Sequence, residues 1–285
     1  MANLKDIRDR IKSIRNIQQV TKAMKMVAAA KLRKAQERME QARPYEERLS
    51  QVIHSLLPDV DRSLLSLLDV REVKRIAVVV FTSDRGLAGS FNSNIIRRAE
   101  EEIKSFGREV TDLICFGRRG RDYFRKRDYS VVKDYADFWS DLNFTHAMEF
   151  GEELIELFVS GRIDEVYIIY NWFRSVGTQK IKMERLLPLV YEGEEQSLSE
   201  RLYEPSKEEL VCSLIPRHMN VEMWKYLLES FASEQAARMV AMDNATENAG
   251  ELIHDLRLEF NKLRQASITK EVLEIISGAE ALKVQ

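Results

Sequence analysis

Residues 239–263 read MVAMDNATENAGELIHDLRLEFNKL, and this stretch decides the fold. Apolar or small side chains recur there at alternating gaps of three and four residues, at Met239, Met242, Thr246, Ala249, Ile253, Leu256, Phe260 and Leu263. A period of about 3.5 residues indicates a helix that packs along a seam against a second helix. Proline is absent after Pro216, so we expect one helix over 217–283, roughly 100 Å long at 1.5 Å per residue.

The N-terminal residues 1–57 predict the partner helix. Apolar residues with the same 3.5-residue period occur in two blocks that share one phase: Leu4, Ile7, Ile11 and Ile14, then Ala28, Leu32, Ala35, Met39 and Ala42. Between the blocks the apolar set moves over by one position, to Ile17, Val20, Met24 and Val27, which predicts a local register change. Pro44 should kink or restart the helix, and Pro58 should end it.

The first helix is strongly basic. Residues 1–43 carry a net charge of +8, although the whole chain has a net charge of −2. A solvated helix face explains most charge runs, and an acidic protein partner is the alternative that fits here. Nucleic acid fits poorly, because no aromatic residue occurs in this stretch to stack on bases.

The middle of the chain, 74–190, predicts an open α/β sheet that is mostly parallel. A buried strand is expected at 75–82, because its sequence RIAVVVFT is rich in β-branched residues. Strand patterns and helix patterns then alternate along the chain. The further strands are predicted at 110–116, 129–132, 164–171 and 179–187, and the helices at 92–106, 118–127 and 141–160.

The predicted architecture pairs the two terminal helices. Residues 188–205 indicate a loop, and Ser206 with Glu209 form a capping box that begins the C-terminal segment 206–285. Pro216 should kink this segment. The fold class is α/β with long helices, in which an antiparallel two-helix coiled coil from both termini joins a central Rossmann-like domain. The longer C-terminal helix should overhang by roughly 18 Å, from Val272 onward, and leave an apolar end that needs a surrounding partner.

The sequence provides no candidate for catalysis, for a cofactor or for a metal. The turn after the first strand has Gly86 and Gly89, but it lacks the dinucleotide fingerprint and the P-loop, so a structural turn is favoured over nucleotide binding. The four histidines are scattered, and Cys115 and Cys212 lack metal-ligand spacing. Both cysteines are expected to be buried free thiols. No apolar run is long enough for a membrane span.

Three stretches resemble one known family, the gamma subunit of the F-type rotary ATP synthase. They are IRDRIKSIRNIQQVTKAMKMVAAAKLRKAQERM at 7–39, TSDRGLAGSFN at 82–92, and ASEQAARMVAMDNATENAGELI at 232–253, which continues into RQASITKEVLEIISGAEAL at 264–282. The resemblance implies a central rotor shaft, itself non-catalytic, that couples proton-driven rotation of the membrane c-ring to conformational cycling of the catalytic beta subunits.

The same resemblance implies the partners and the contact residues. The partners would be three alpha and three beta subunits, the epsilon subunit and the c-ring, with the complex on the cytoplasmic face of a bacterial plasma membrane. Ala88 stands where many relatives have cysteine, so chemistry assigned to that cysteine cannot apply. The implied beta-subunit contacts are Arg8, Lys22, Met24, Arg238, Gln265 and Thr269, and the implied apical bearing is formed by Ile275, Ile276, Ala279 and Leu282.

Two other functions stay open at the level of sequence. The chain could be a different coiled-coil protein, such as a holdase or a scaffold, which would form a self-contained oligomer. It could also be an α/β enzyme with a helical arm, which would need a ligand at 86–90.

Overall fold

The computed structural model describes residues 4–57, 60, 65–189, 204 and 206–283. Its two longest elements are the helices α1 (Leu4–Leu56) and α5 (Lys207–Lys283). The chain divides into two compact units. The smaller unit comprises Met1–Val27 and Met239–Gln285, and the larger unit comprises Ala28–Arg238.

The larger unit contains a five-stranded sheet with the order β3-β2-β1-β4-β5. All neighbouring strands in this order are parallel except β4 and β5, which are antiparallel. The predicted open, mostly parallel sheet is therefore confirmed. The strands are β1 (Ile76–Phe81), β2 (Thr111–Phe116), β3 (Val131–Tyr135), β4 (Glu165–Ser175) and β5 (Thr178–Leu187), and the helices between them are α2 (Phe91–Phe106), α3 (Arg118–Arg125) and α4 (Phe144–Val159).

Both faces of the sheet are covered, which explains why β1 is buried along its whole length. Successive side chains of a strand point to opposite faces. Ala77, Val79 and Phe81 belong to a core that also takes in Ile53 of α1 and Met219 of α5. The alternate residues of β1 join a second core with one face of α2; its members include Ile76, Val78, Val80, Ile95, Ala99 and Ile103.

Segments of α1 and α5 pair in opposite directions within each unit. In the smaller unit, Lys25 contacts Asp243 at 2.5 Å, and Arg8 lies over the ring of Phe260 at 5.6 Å from its centroid. The partner numbers rise as the α1 numbers fall, so the pair is antiparallel. In the larger unit, Leu32 and Ala35 pack against a small-residue surface of α5, formed by Ala232 and Ala236. The predicted antiparallel two-helix coiled coil is confirmed.

The predicted register change in α1 is wrong. The side of α1 that faces α5 keeps one heptad phase through Gln18, Thr21 and Lys25, all of which are buried or half-buried. Thr21 and Thr246 share a hydroxyl–hydroxyl hydrogen bond of 2.8 Å across the seam. The chain accommodates polar residues at these positions because their hydrogen bonds are satisfied there, and no change of register is needed.

The two prolines inside the helices do not end them, and the kinks predicted at Pro44 and Pro216 stay predictions. The C-terminal helix begins at Lys207 and continues through Pro216 without an end, and α1 likewise contains Pro44. The Ser206 hydroxyl accepts a hydrogen bond of 3.2 Å from the Glu209 amide, so half of the predicted capping box is present. Pro58 and most of the predicted 188–205 loop lie outside the described residues.

The two thiols differ, contrary to the expectation that both are buried. Both cysteines are free. Cys115 is buried in β2 and Cys212 is exposed on the first turns of α5. Burial raises the pKa of the Cys115 thiol to about 12. Cys212 is therefore the accessible thiol of the pair.

Candidate partner-binding surfaces

An apolar surface lies on the outer side of α1 in the smaller unit. Because Gln18, Thr21 and Lys25 occupy the seam, the apolar residues between them point elsewhere. Ile17, Val20 and Val27 are 54%, 57% and 57% exposed. Their spacing of three and seven residues places them on one side of the helix, which we call the apolar flank. Burial of each such side chain against a partner would contribute about 1.5–3 kcal/mol.

A basic surface lies on a different side of the same helix. Arg8, Arg15 and Lys22 recur every seven residues, so they lie on one side of α1, and all three are exposed. We call this the basic flank. Met24, the third predicted contact on α1, is half-buried between the seam and the apolar flank.

The facing helix carries the opposite charge. Glu247, Glu251, Asp255 and Glu259 follow one another at intervals of four residues on α5, and all are exposed. This acidic stripe and the basic flank give the smaller unit an uneven charge distribution around its long axis. A partner that contacts one side therefore meets a different surface from a partner on another side.

The C-terminal part of α5 has no helical partner among the described residues of α1. Because Phe260 lies opposite Arg8, the described start of α1 at Leu4 lies opposite about residue 264. The unpaired part, from Gln265 to Lys283, is roughly 28 Å long at 1.5 Å per residue. It is longer than the predicted overhang from Val272.

Exposed apolar side chains occur throughout this unpaired part. Ile275 is 70% exposed and Ile276 is 52% exposed. Gln265 and Thr269 are also exposed, and the Thr269 hydroxyl donates to the Gln265 carbonyl at 2.9 Å. Ala279 and Leu282 belong to α5, but their side chains lie outside the described residues.

Arg238 differs from the other predicted contact residues because its charge is already paired. Its guanidinium contacts the Glu234 carboxylate at 2.5 Å, and the two side chains are only 11% and 7% exposed. The same guanidinium donates to the carbonyl oxygens of Arg85 and Gly86 at 3.4 and 3.3 Å. Burial raises the pKa of Glu234, and the cation of Arg238 opposes that shift. Arg238 thus fastens the turn after β1 to α5.

In the turn after β1, the carboxylate of Asp84 binds backbone amides of two later segments of the chain. Asp84 accepts hydrogen bonds from the backbone amides of Arg118, at 3.0 Å, and Asp137, at 2.9 Å. Arg118 begins α3, so its amide is one of the donors at a helix start that have no partner within the helix. The Asp84 carboxylate therefore satisfies both of these backbone donors within the chain.

A cluster of acidic residues surrounds one lysine in the larger unit. Lys225 contacts Glu46 of α1 at 2.8 Å and Glu222 at 3.4 Å. The Tyr226 hydroxyl donates to Glu184 of β5 at 3.1 Å. Glu229 has a buried oxygen without a hydrogen bond, and burial raises its pKa to about 7. This cluster joins α1, β5 and α5.

No group of three or more His, Cys, Asp or Glu side chains among the described residues could hold a metal ion. Over those residues, no helix has both the length and the apolar character that a membrane crossing requires.

Comparison with known proteins identifies the family. A family model described as ATP synthase matches residues 3–282. The ATP synthase gamma chain of Prosthecochloris aestuarii is 49% identical over 292 residues, covering 99% of each chain. That of Chlorobaculum parvum is 49% identical over 291 residues, covering 99% of this chain and all of that protein. This chain belongs to the ATP synthase gamma chain family.

Solved structures agree with the fold of the gamma-chain family. A chain of the Euglena gracilis mitochondrial ATP synthase, from a structure of OSCP, F1 and the c-ring in rotational state 3, aligns with a TM-score of 0.70 at 21% identity. This alignment covers 98% of this chain and 94% of that one. A chain of the Tetrahymena thermophila central stalk and c-ring aligns with a TM-score of 0.63 at 25% identity, covering 79% and 99%.

The apolar flank is the part of this gamma chain's surface that the sequence reading missed. It assigned Ile17, Val20 and Val27 to the seam because they are apolar. The signal that could have corrected this is the spacing between Ile14 and Ala28, which is two whole heptads. The heptad phase is the same before Ile14 and after Ala28, so the residues between them must keep that phase as well. The polar residues between them must then lie inside.

Proposed function

We propose that this gamma chain is the central rotor shaft of an F-type ATP synthase. It couples proton-driven rotation of the membrane c-ring to conformational cycling of the catalytic beta subunits, and it performs no catalysis itself. The observation that supports this proposal most strongly is the smaller unit, a two-helix rod with an apolar flank, a basic flank and an acidic stripe on different sides. A symmetric rod would give each catalytic subunit the same contact and could not distinguish among them.

The physical requirement for such coupling is differential binding. A shaft shifts a beta subunit toward one conformation only if it binds that conformation more strongly than the others. When the basic flank faces one beta subunit, the acidic stripe faces elsewhere. Each orientation of the rod thus favours a different conformation at each position around it. Rotation then changes which subunit receives which contact.

The proposed contacts with beta subunits are Arg8, Lys22, Met24, Arg238, Gln265 and Thr269. Arg8, Lys22, Gln265 and Thr269 are exposed, which suits this role. Arg238 would act differently, because its cation is paired with Glu234. The proposed apical bearing is Ile275, Ile276, Ala279 and Leu282. A collar of alpha and beta subunits around it would bury the apolar surface that isolated α5 exposes to water.

The proposed partners are three alpha and three beta subunits around one gamma chain, with the epsilon subunit and the c-ring. The proposed location is the cytoplasmic face of a bacterial plasma membrane, where the chain is held through the complex. Relatives named gamma chain in Prosthecochloris and Chlorobaculum, at 49% identity over nearly the whole chain, support a bacterial complex.

Reconstitution tests the proposal. Purified alpha and beta subunits are mixed with and without this chain, and ATP hydrolysis and subunit ratios are measured. We expect the chain to bind at one copy per three alpha–beta pairs, to raise hydrolysis by those pairs, and to hydrolyse no ATP alone. A self-contained oligomer that ignores the alpha and beta subunits would contradict the proposal and favour a scaffold. ATP hydrolysis by the chain alone would favour the enzyme alternative.

The Lys22 contact has a separate test. Lys22→Glu reverses one charge of the basic flank and leaves the seam intact, so the complex should assemble but convert proton flow to ATP less efficiently. The measurement is ATP synthesised per proton transported in vesicles. Lys126→Glu, an exposed site at the end of α3, is the control and should leave the ratio unchanged. An unchanged ratio with Lys22→Glu would remove Lys22 from the contacts.

A further inference from the structure

An open cavity of about 410 Å³ lies in the larger unit, where α1, the start of α4 and α5 meet. It is separate from the turn after β1 and from the positions proposed above to contact beta subunits. Its size is that of a site for one or two side chains or a small ligand. The lining residues are Arg38, Gln41, Ala42, Tyr45, Asn143, Phe144, Val221 and Trp224.

The rim of the cavity is aromatic and open to solvent. Tyr45 is 55% exposed and Phe144 is 41% exposed. Phe144 meets Trp224 edge to face, with ring centroids 6.0 Å apart. Aromatic side chains and arginine are enriched at the centres of protein interfaces, where a few of them provide most of the binding free energy. The lining has this composition, although it is not covered by the chain itself.

The charge of the cavity is positive only. Arg38 provides its single charge, and among the described lining residues there is no carboxylate. One guanidinium nitrogen of Arg38 donates to the Leu142 carbonyl at 2.6 Å, which fixes the group beside the rim. Guanidinium has five N–H donors, so others remain for a ligand.

The positive charge extends along the same side of α1. Lys34 precedes Arg38 by four residues, and Arg48 follows Tyr45 by three, which places them on the cavity side of the helix. Both are exposed. Three carboxylates of α1 stand next to lining residues in sequence. Glu37 pairs with Arg33 at 3.1 Å, and Glu46 contacts Lys225 at 2.8 Å. Glu40 is exposed, and its position one residue before Gln41 places it on another side of the helix. An anionic partner is therefore complementary to this side, and a cationic partner is not.

We propose that this cavity is a docking site for an acidic segment of another protein subunit, which inserts one apolar side chain between Tyr45, Phe144 and Trp224 and pairs a carboxylate with Arg38. The cavity is wide open to solvent. A small ligand bound there would keep much of its surface in water, whereas a side chain that projects from a larger protein surface would be covered by that surface. The site goes beyond the proposed rotor function, since it requires no rotation.

Photo-crosslinking in the assembled complex tests the proposal. Phe144→p-benzoylphenylalanine places a reactive group on the rim, and Val159→p-benzoylphenylalanine, at the exposed far end of the same helix, is the matched control. We expect the Phe144 site to give an adduct with one segment of another subunit that contains Asp or Glu, and the control to give no adduct with that segment. An adduct with a second copy of this chain, an adduct with a segment lacking carboxylates, or no protein adduct would overturn the proposal.

The role of Arg38 is tested in the same assay. Arg38→Gln should lower the yield of the adduct about tenfold, the usual effect of removing an interface hot spot. Arg38→Lys keeps the charge but loses the forked geometry, and it should restore part of the yield. Arg33→Gln, an exposed cation on another side of α1 paired with Glu37 at 3.1 Å, should leave the yield unchanged. An Arg38→Gln yield equal to that of Arg33→Gln would show that no carboxylate docks there.

Discussion

At the scale of single residues, the same residue type has different roles according to burial. Arg238 and Arg33 both form an ion pair with a glutamate one helical turn away. Arg238 and Glu234 are 11% and 7% exposed, whereas Arg33 and Glu37 are 83% and 55% exposed. Water and salt screen the second pair, but the first holds a backbone turn in place. Sequence spacing is identical for the two pairs and cannot distinguish them.

This contrast gives a stability prediction. Arg238→Gln should lower the free energy of unfolding by about 3 kcal/mol, because it leaves Glu234 buried without its partner and frees two carbonyl oxygens. Arg33→Gln should change it by less than about 0.5 kcal/mol. Urea denaturation of the full chain measures both. Equal effects from the two substitutions would contradict the structural role of Arg238.

Glu229 gives a prediction of pH dependence. Its pKa is about 7 in the folded chain because of burial, compared with an ordinary value of 4.5. The folded chain therefore binds this proton more tightly, and the contribution of Glu229 to the stability falls as the pH rises from 4.5 through 7. Glu229→Gln mimics the protonated form, so its melting temperature should match that of the parent at pH 5 and exceed it at pH 8.

The control for this experiment is Glu149→Gln, at an exposed position of α4. It should follow the parent at both pH values. A Glu229→Gln variant that melts at the same temperature as the parent at pH 8 would mean that the Glu229 carboxylate is not penalised by burial.

At the scale of elements, the sequence predicts where helices and strands lie better than it predicts which side of a helix faces its partner. The strands and helices of the larger unit follow from their β-branched runs and their periodicity, with bounds that differ by a few residues. The strand predicted at 129–132 starts two residues before β3, because the edge position of β3 exposes Val132 and weakens the alternating pattern.

The side of α1 that faces α5 could not be read from apolar residues alone. Thr21 finds a partner in Thr246, and Gln18 donates to the Thr246 carbonyl at 3.3 Å. Gly250 permits this approach, because an added Cβ would lie 3.1 Å from the Gln18 amide nitrogen. These cross-helix bonds involve residues more than two hundred positions apart. Local periodicity contains no information about them, so the sequence favoured Ile17 and Val20 instead.

Hydrogen exchange can measure the difference between the paired and unpaired parts of α5. Backbone amides over 268–277 should exchange quickly in the isolated chain, since an unpaired helix end lacks tertiary packing. Amides over 242–256, which include the buried Met242, Ile253 and Leu256, should be protected. In the assembled complex, protection of 268–277 should rise. Strong protection of 268–277 in the isolated chain, or none in the complex, would contradict an apical bearing at this end.

At the scale of the whole molecule, family membership and fold rest on independent observations. The resemblance at 7–39, 82–92 and 232–282 predicted the gamma-chain family, and the family match over residues 3–282 confirms it. The antiparallel helices and the open sheet were predicted separately from periodicity. The contact residues and the bearing stay predictions, because they concern surfaces that only the partner subunits complete.

The most direct test of the central claim is to watch the chain turn. A bead can be attached to the exposed thiol of Cys212, while buried Cys115, whose pKa is raised to about 12, stays unreactive. The alpha and beta subunits are fixed to a surface, and ATP is added. We predict continuous rotation of the bead in one direction that stops when ATP is removed. Beads that only fluctuate about a fixed angle while the same complexes hydrolyse ATP would contradict the rotor function.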